Sequence, residues 1–176
     1  MARIGYIQPE NASPEVKKIY DEKLRGKPLN LQKALAHRPE LLKAFVDFYR
    51  SVGKSLDKRL YELVYIRVSM VNGCFYCTQD HIDSSKRAGL TLEDWRALEK
   101  PAEAPGFSLA EKAALAYAER LTQTPTHEVE PEVTVARKHF NDEQMVDLTA
   151  LIALANLTNR LNDGLGIEFE GAPEKI

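Results

Sequence analysis

The chain has 176 residues, enough for one domain or two small packed halves, and enough to bury a core without disulfide or metal staples. Its 24 basic and 26 acidic residues are interspersed and leave a net charge of −2, which argues against a nucleic-acid partner and against a charged tail. The first residues lack a signal-peptide apolar core, and the longest apolar-rich stretch, 145–157, holds Asp147, Thr149 and Asn156 and is too short to span a bilayer. The expected setting is therefore the cytoplasm, away from membranes.

Read in order, the pattern is helical throughout. Ser13 and Pro14 form a cap followed by a first-turn proline, opening a helix to about residue 26. A short helix follows over 29–36. Pro39 then opens an amphipathic helix through Leu42, Phe45, Val46 and Tyr49, ending near Gly53. Asp57 caps the next helix, where Leu60, Leu63, Val64, Ile66, Val68 and Val71 are apolar on most sides, which implies burial up to a stop at Gly73. A new helix starts at Cys74, runs through Ile82 and ends at Gly89. Thr91 and Asp94 form a capping box for a short helix around Trp95 and Leu98, and Pro101 to Gly106 read as a loop. Ser108 and Glu111 cap a helix through Leu115 and Leu121 that Pro125 ends. One more helix is expected over 131–140, and Asn141 with Gln144 caps a last long one to about Gly164. No segment alternates long enough to be a strand; 6–7 and 167–169 are extended at most. The expected fold class is all-α, a single helical domain over 1–176. Asp57, Leu60, Glu62, Leu63 and Ile66 recur 85 positions later as Asp142, Met145, Asp147, Leu148 and Leu151, a faint internal duplication of 57–72 in 142–157.

Chemistry concentrates at 62–81. The two cysteines of the chain are spaced as Cys74-x-x-Cys77, and His81 follows one turn later. At about 100° per residue the three fall within roughly 60° on one helix face. Structural disulfides are rare in the cytoplasm, so such a pair points to catalysis, redox chemistry or metal binding. In the redox reading, the helix start after Gly73 favours a thiolate, His81 takes or shares the thiol proton, and the second cysteine resolves the oxidised first. Glu62, on the preceding helix, approaches His81 if Gly73 folds the two helices together. A structural zinc needs a fourth ligand, which the isolated His37, His127 and His139 do not supply, although a catalytic zinc needs only three. The bland alternative is a pair of small buried side chains beside a surface histidine.

The segment Glu62-(x11)-Cys74-Phe75-Tyr76-Cys77-Thr78-Gln79-Asp80-His81 resembles the core motif of the alkylhydroperoxidase D family, within the carboxymuconolactone decarboxylase superfamily. Flanking similarity extends it: Ala34-Leu35-Ala36-His37-Arg38-Pro39-Glu40-Leu41-Leu42 resembles the upstream helix pair of the peroxidase-related branch, and Asn156-x-x-Asn159-Arg160-Leu161 the end of the last family helix. The likeness covers about 30–165, with its core at 56–90. It implies a helical bundle with the Cys-x-x-Cys at the start of a central helix, assembled as a dimer, trimer or hexamer. It implies a thiol-dependent alkylhydroperoxidase or disulfide reductase in which Cys74 and Cys77 are the redox pair and Glu62 and His81 the proton relay. No bound cofactor or metal is implied. The reductant would be an external dithiol such as a lipoyl group, and the partners an organic hydroperoxide or hydrogen peroxide, a lipoyl-bearing protein and a peroxiredoxin. The best-studied members carry a histidine where this chain has Tyr76, and a phenol with an ordinary pKa near 10 is no neutral-pH base. Two other readings stand beside this one: a non-redox decarboxylase-like enzyme using Glu62 and His81 as acid and base, and a helical interaction protein whose thiols sense redox state.

Four further features invite explanation. Arg67, inside an apolar helix, needs a carboxylate, for which Glu62 and Asp147 are candidates. His37 is placed to cap a helix C-terminus. Asn156, Asn159, Arg160 and Asp163 form a polar stripe that is either solvated or lines the redox cavity or a subunit interface. Tyr65, Phe75 and Tyr76 either pack the core or shape an apolar mouth for an acyl or lipoyl chain.

Overall fold

The computed structural model describes residues 2–123 and 128–174. Nine α-helices and no strand occur among the described residues: α1 (Pro14–Leu24), α2 (Asn30–Leu35), α3 (Pro39–Ser51), α4 (Lys58–Asn72), α5 (Phe75–Arg87), α6 (Leu92–Ala97), α7 (Leu109–Thr122), α8 (Glu130–Ala136) and α9 (Asp142–Leu165). A 3₁₀ turn over Pro9–Asn11, which no pattern announced, precedes α1. The caps read from sequence form as expected. Ser13 accepts from Val16 N, Asp57 from Leu60 N, and Thr91–Asp94 and Ser108–Glu111 close reciprocal capping boxes. Asn141 and Gln144 bond each other's backbone amides in the same way, at 2.9 and 3.1 Å. The helix expected to reach 140 stops at Ala136, with Phe140 held by a turn bond to the Ala136 carbonyl. Pro125, read as a helix stop, and His127 lie outside the described residues. No helix among the described residues is long and apolar enough to cross a membrane.

The chain divides into two compact units. The first runs to Ser51 and includes Arg160–Ala172; the second holds Val52–Asn159 and the residues from Pro173 onward. In the first, α1 and α2 pack on α3. Arg3 donates to the Asp163 and Gly164 carbonyls, neutralising the C-terminal end of α9. Tyr20 donates to the Ile7 carbonyl, and burial pushes its phenol up to about 12. His37 is not a helix cap: its Nε2 donates to the Gly5 carbonyl at 2.9 Å, a contact between segments 32 residues apart that spacing does not reveal.

In the second unit α4 is the hub, packed against α5 and α7. Leu63, Val64, Ile66 and Val68 are fully buried, as the near-continuous apolar run implied. Arg59 crosses to Asp94 on α6 and Glu111 on α7. Arg67 pairs with Glu119 on α7 at 2.8 Å, not with either expected carboxylate. Both of those are engaged elsewhere: Glu62 by His81, and Asp147 by the Gly53 and Ser55 amides. The polar stripe of α9 divides. Asn156 and Asn159 both accept from the Asn72 side chain at the end of α4, whereas Arg160 and Asp163 are exposed.

Candidate active site

The turn between α4 and α5 builds the site. Gly73 adopts a left-handed φ of 69°, which an L side chain would resist, and its amide bonds the Met70 carbonyl at 3.0 Å. The Cys74 amide bonds the Ser69 carbonyl at 2.9 Å, so α4 closes in one step and Cys74 becomes the N-cap of α5. The Cys74 sulfur accepts the Cys77 amide at 3.4 Å, taking a capping role that Ser or Asp usually fills. The helix dipole at this N-terminus favours an anion there. The two sulfurs lie 2.7 Å apart as free thiols, Cys74 fully buried and Cys77 2% exposed.

One turn on, α5 presents His81, itself only 4% exposed. Its Nδ1 meets Glu62 Oε2 of α4 at 2.7 Å. With Glu62 ionised, Nδ1 holds the ring proton and donates it, leaving Nε2 as the nitrogen that can exchange a proton with another group. Burial disfavours the imidazolium. The Glu62 hydrogen bond and charge, with the charges of Asp80 and Cys77, outweigh it and hold the His81 pKa above its ordinary 6.5. The Tyr65 ring covers one face of the imidazole, centroids 3.5 Å apart and planes 14° from parallel. Burial, and secondarily the Cys77 charge, push the Tyr65 phenol well above 10.

The structure thus brings all four sequence-derived residues, Glu62, Cys74, Cys77 and His81, into one cluster. Of the three aromatics considered for an apolar mouth, Tyr65 and Tyr76 are buried and only Phe75 reaches the surface, at 59% exposure. Tyr65 and its α9 partner Thr158 were missed as part of the cluster. Tyr65 stands three residues after Glu62 and so on the same face of α4, a signal the sequence does contain; Thr158 sends none. Glu62 also lines a cavity of about 280 Å³ with Tyr61, Ser84, Lys58 and Arg87. A larger groove of about 620 Å³ runs along α9 past Met145, Val146 and Thr149, but its charged residues, Arg137 and Asp142, pair with each other and the Thr149 hydroxyl is bonded to Tyr117 and to the Met145 carbonyl. Among the described residues no group of three or more His, Cys, Asp or Glu side chains is arranged to hold a metal ion.

Comparison with known proteins bears on the family and the fold. Residues 39–120 match the model of the carboxymuconolactone decarboxylase family. Uncharacterized protein YdfG of Bacillus subtilis (strain 168) is 33% identical over 130 residues, covering 73% of this chain and 88% of its own. Among solved structures, a peroxidase-related protein from Ralstonia eutropha JMP134, described as an alkylhydroperoxidase AhpD core, superposes with a TM-score of 0.82 at 21% identity, covering 98% of both chains. The debrominase Bmp8 superposes with a TM-score of 0.79 at 21% identity, covering 91% of this chain and 88% of its own. At that identity the two structures speak for the fold.

Proposed function

The chain belongs to the carboxymuconolactone decarboxylase family, and from that premise we propose that it is a thiol-dependent peroxidase or disulfide reductase cycling a Cys74–Cys77 disulfide. The observation that carries the reading is the 2.7 Å approach of the two sulfurs at a helix start, backed by the His81–Glu62 pair. One thiolate attacks the distal oxygen of a hydroperoxide. The O–O bond breaks, that sulfur becomes a sulfenic acid, and the leaving alkoxide takes a proton from His81 Nε2 and departs as alcohol. The other thiol then attacks the sulfenic sulfur, releasing water and closing the disulfide. An external dithiol such as a lipoyl group reopens it and is itself oxidised to a disulfide. Glu62 keeps the His81 proton on Nδ1, so proton traffic with the sulfurs runs through Nε2.

The same reading takes an organic hydroperoxide or hydrogen peroxide as substrate, a lipoyl-bearing protein or a peroxiredoxin as partner, a homo-oligomeric assembly and a cytoplasmic setting. The experiment is steady-state reduction of tert-butyl hydroperoxide with dihydrolipoamide, for wild type, Cys74→Ser and Cys77→Ser. Both substitutions are expected to reduce turnover to the uncatalysed background. Turnover surviving both would overturn the redox mechanism and leave Glu62 and His81 as a non-redox acid–base pair. A wild type that forms and reopens the disulfide yet turns over no hydroperoxide would point to a redox-sensing protein or to a different electrophile.

A further inference from the structure

A hydrogen bond at one edge of a ring does not by itself fix the plane of the ring. Glu62 bonds His81 at Nδ1, on one edge of the imidazole, so a group packed flat against a face adds a restraint on the ring's tilt that this bond does not supply. Tyr65 is the group placed to do so: it is 2% exposed, and its ring lies nearly parallel to the imidazole at a centroid distance of 3.5 Å. Tyr61 lies beside this pair, its centroid 6.2 Å from Tyr65 and 6.4 Å from His81.

The Tyr65 ring is held in turn. Its hydroxyl lies 2.5 Å from Thr158 Oγ1 on α9. The single Thr158 hydroxyl proton faces the Leu154 and Ala155 carbonyls at 3.1 and 2.9 Å. With that proton directed at the backbone, Thr158 accepts and Tyr65 donates. Both bonds are buried, where such links are strongest and least replaceable by water.

We propose that Tyr65, anchored by Thr158, is the positioning residue of the relay: it fixes the plane of His81 between Glu62 and the thiols, and the electron-rich face of its ring favours the imidazolium form. The groups around His81 make this testable. From α4 it meets Glu62, Tyr61 and Tyr65, and on its own helix Cys77 and Asp80. Lys58 and Arg87 line the cavity that Glu62 also lines, and α9 contributes the Thr158 hydroxyl that bonds Tyr65. Glu62 supplies charge; Tyr65 supplies orientation and a polarised face.

The inference uses the proposed function only for its kinetic consequence. Its test is the pH titration of the His81 ring protons by NMR, with thiolate absorbance followed in parallel, on the full chain. Tyr65→Leu is expected to lower the His81 midpoint by about half a pH unit, the size of a modest cation–π contribution. Tyr65→Phe keeps the ring face and loses the Thr158 bond, and is expected to recover more than half of that shift. An unmoved midpoint in folded Tyr65→Leu, or an equal shift in both variants, would overturn the proposal. Should Tyr65→Leu not fold, a pentafluorinated phenylalanine at 65 keeps the shape and reverses the ring quadrupole; it is expected to lower the midpoint, and no change would overturn the proposal equally. A shifted midpoint without hydroperoxide turnover would sink the proposed function and leave Tyr65 in its role. Turnover with an unmoved midpoint would do the reverse.

Discussion

Helices α4 and α9 carry an acid at the same place in the same apolar pattern, yet the two acids do different work. Glu62 of α4 faces an imidazole, its Oε2 2.7 Å from His81 Nδ1. Asp147 of α9 faces backbone: it accepts from the Gly53 amide at 3.0 Å and from the Ser55 amide and hydroxyl at 2.7 Å each, tying down the loop before α4. The donor decides the role. A titratable donor makes a pair whose charge moves with pH, while amide donors make a fixed clasp. Burial works against the Asp147 carboxylate, but those bonds, with the charge of Lys54, outweigh it and hold its pKa below the ordinary carboxylate value.

The sharpest way to break this contrast is to remove each acid. Beyond the loss of all turnover expected of the cysteine variants, Glu62→Gln is expected to lower kcat/KM for hydroperoxide by about 10²–10⁴ with little loss of fold, because general acid–base assistance goes with it. It should also change the pH dependence of stability. A histidine whose folded pKa is raised contributes stability that is fully present below its ordinary 6.5 and is lost as pH rises through the folded value. Denaturant midpoints of wild type should therefore fall over that range, and those of Glu62→Gln should be flatter; an identical pH profile would show that the pair is not charged. Asp147→Ala is expected to do the opposite, costing about 1–3 kcal/mol of stability through its stranded amides while leaving the pH profile of turnover in place. With a lowered pKa, the Asp147 contribution is present above the ordinary carboxylate value and is lost only as pH falls through the folded one, so acid unfolding should begin at higher pH in the variant.

Two smaller effects sharpen the comparison. Gly53, clasped by Asp147, has a φ of 78°, and a Cβ there would lie 2.5 Å from the Tyr61 ring. Gly53→Ala is expected to cost about 1–2 kcal/mol from backbone alone, read as a lower unfolding midpoint. Glu119→Gln, which keeps a hydrogen-bonding side chain but weakens the partly buried pair with Arg67, should cost about 1 kcal/mol and leave turnover unchanged; a large activity loss would bring Arg67 into the site.

The helices were legible because caps and breakers act locally: Asp57, Gly73, Ser108 and Asn141 each mark an end that forms where spacing puts it. The cysteine pair and His81 were legible because one helix carries them at i, i+3 and i+7. The weaker readings failed where a partner came from a distant segment, as with Arg67 and Glu119 or His37 and the Gly5 carbonyl. By itself, then, the sequence determined which side chains share a helix face and where each helix stops, since neighbours within a turn are set by backbone geometry alone. Only the tertiary structure decided that the expected Glu62–His81 pair forms, that Tyr65 lies flat against the imidazole, and that Thr158 holds Tyr65 there. Those pairings join α5 and α9 to α4 across 19 and 93 residues, and only the packing of buried faces brings such groups within hydrogen-bond reach.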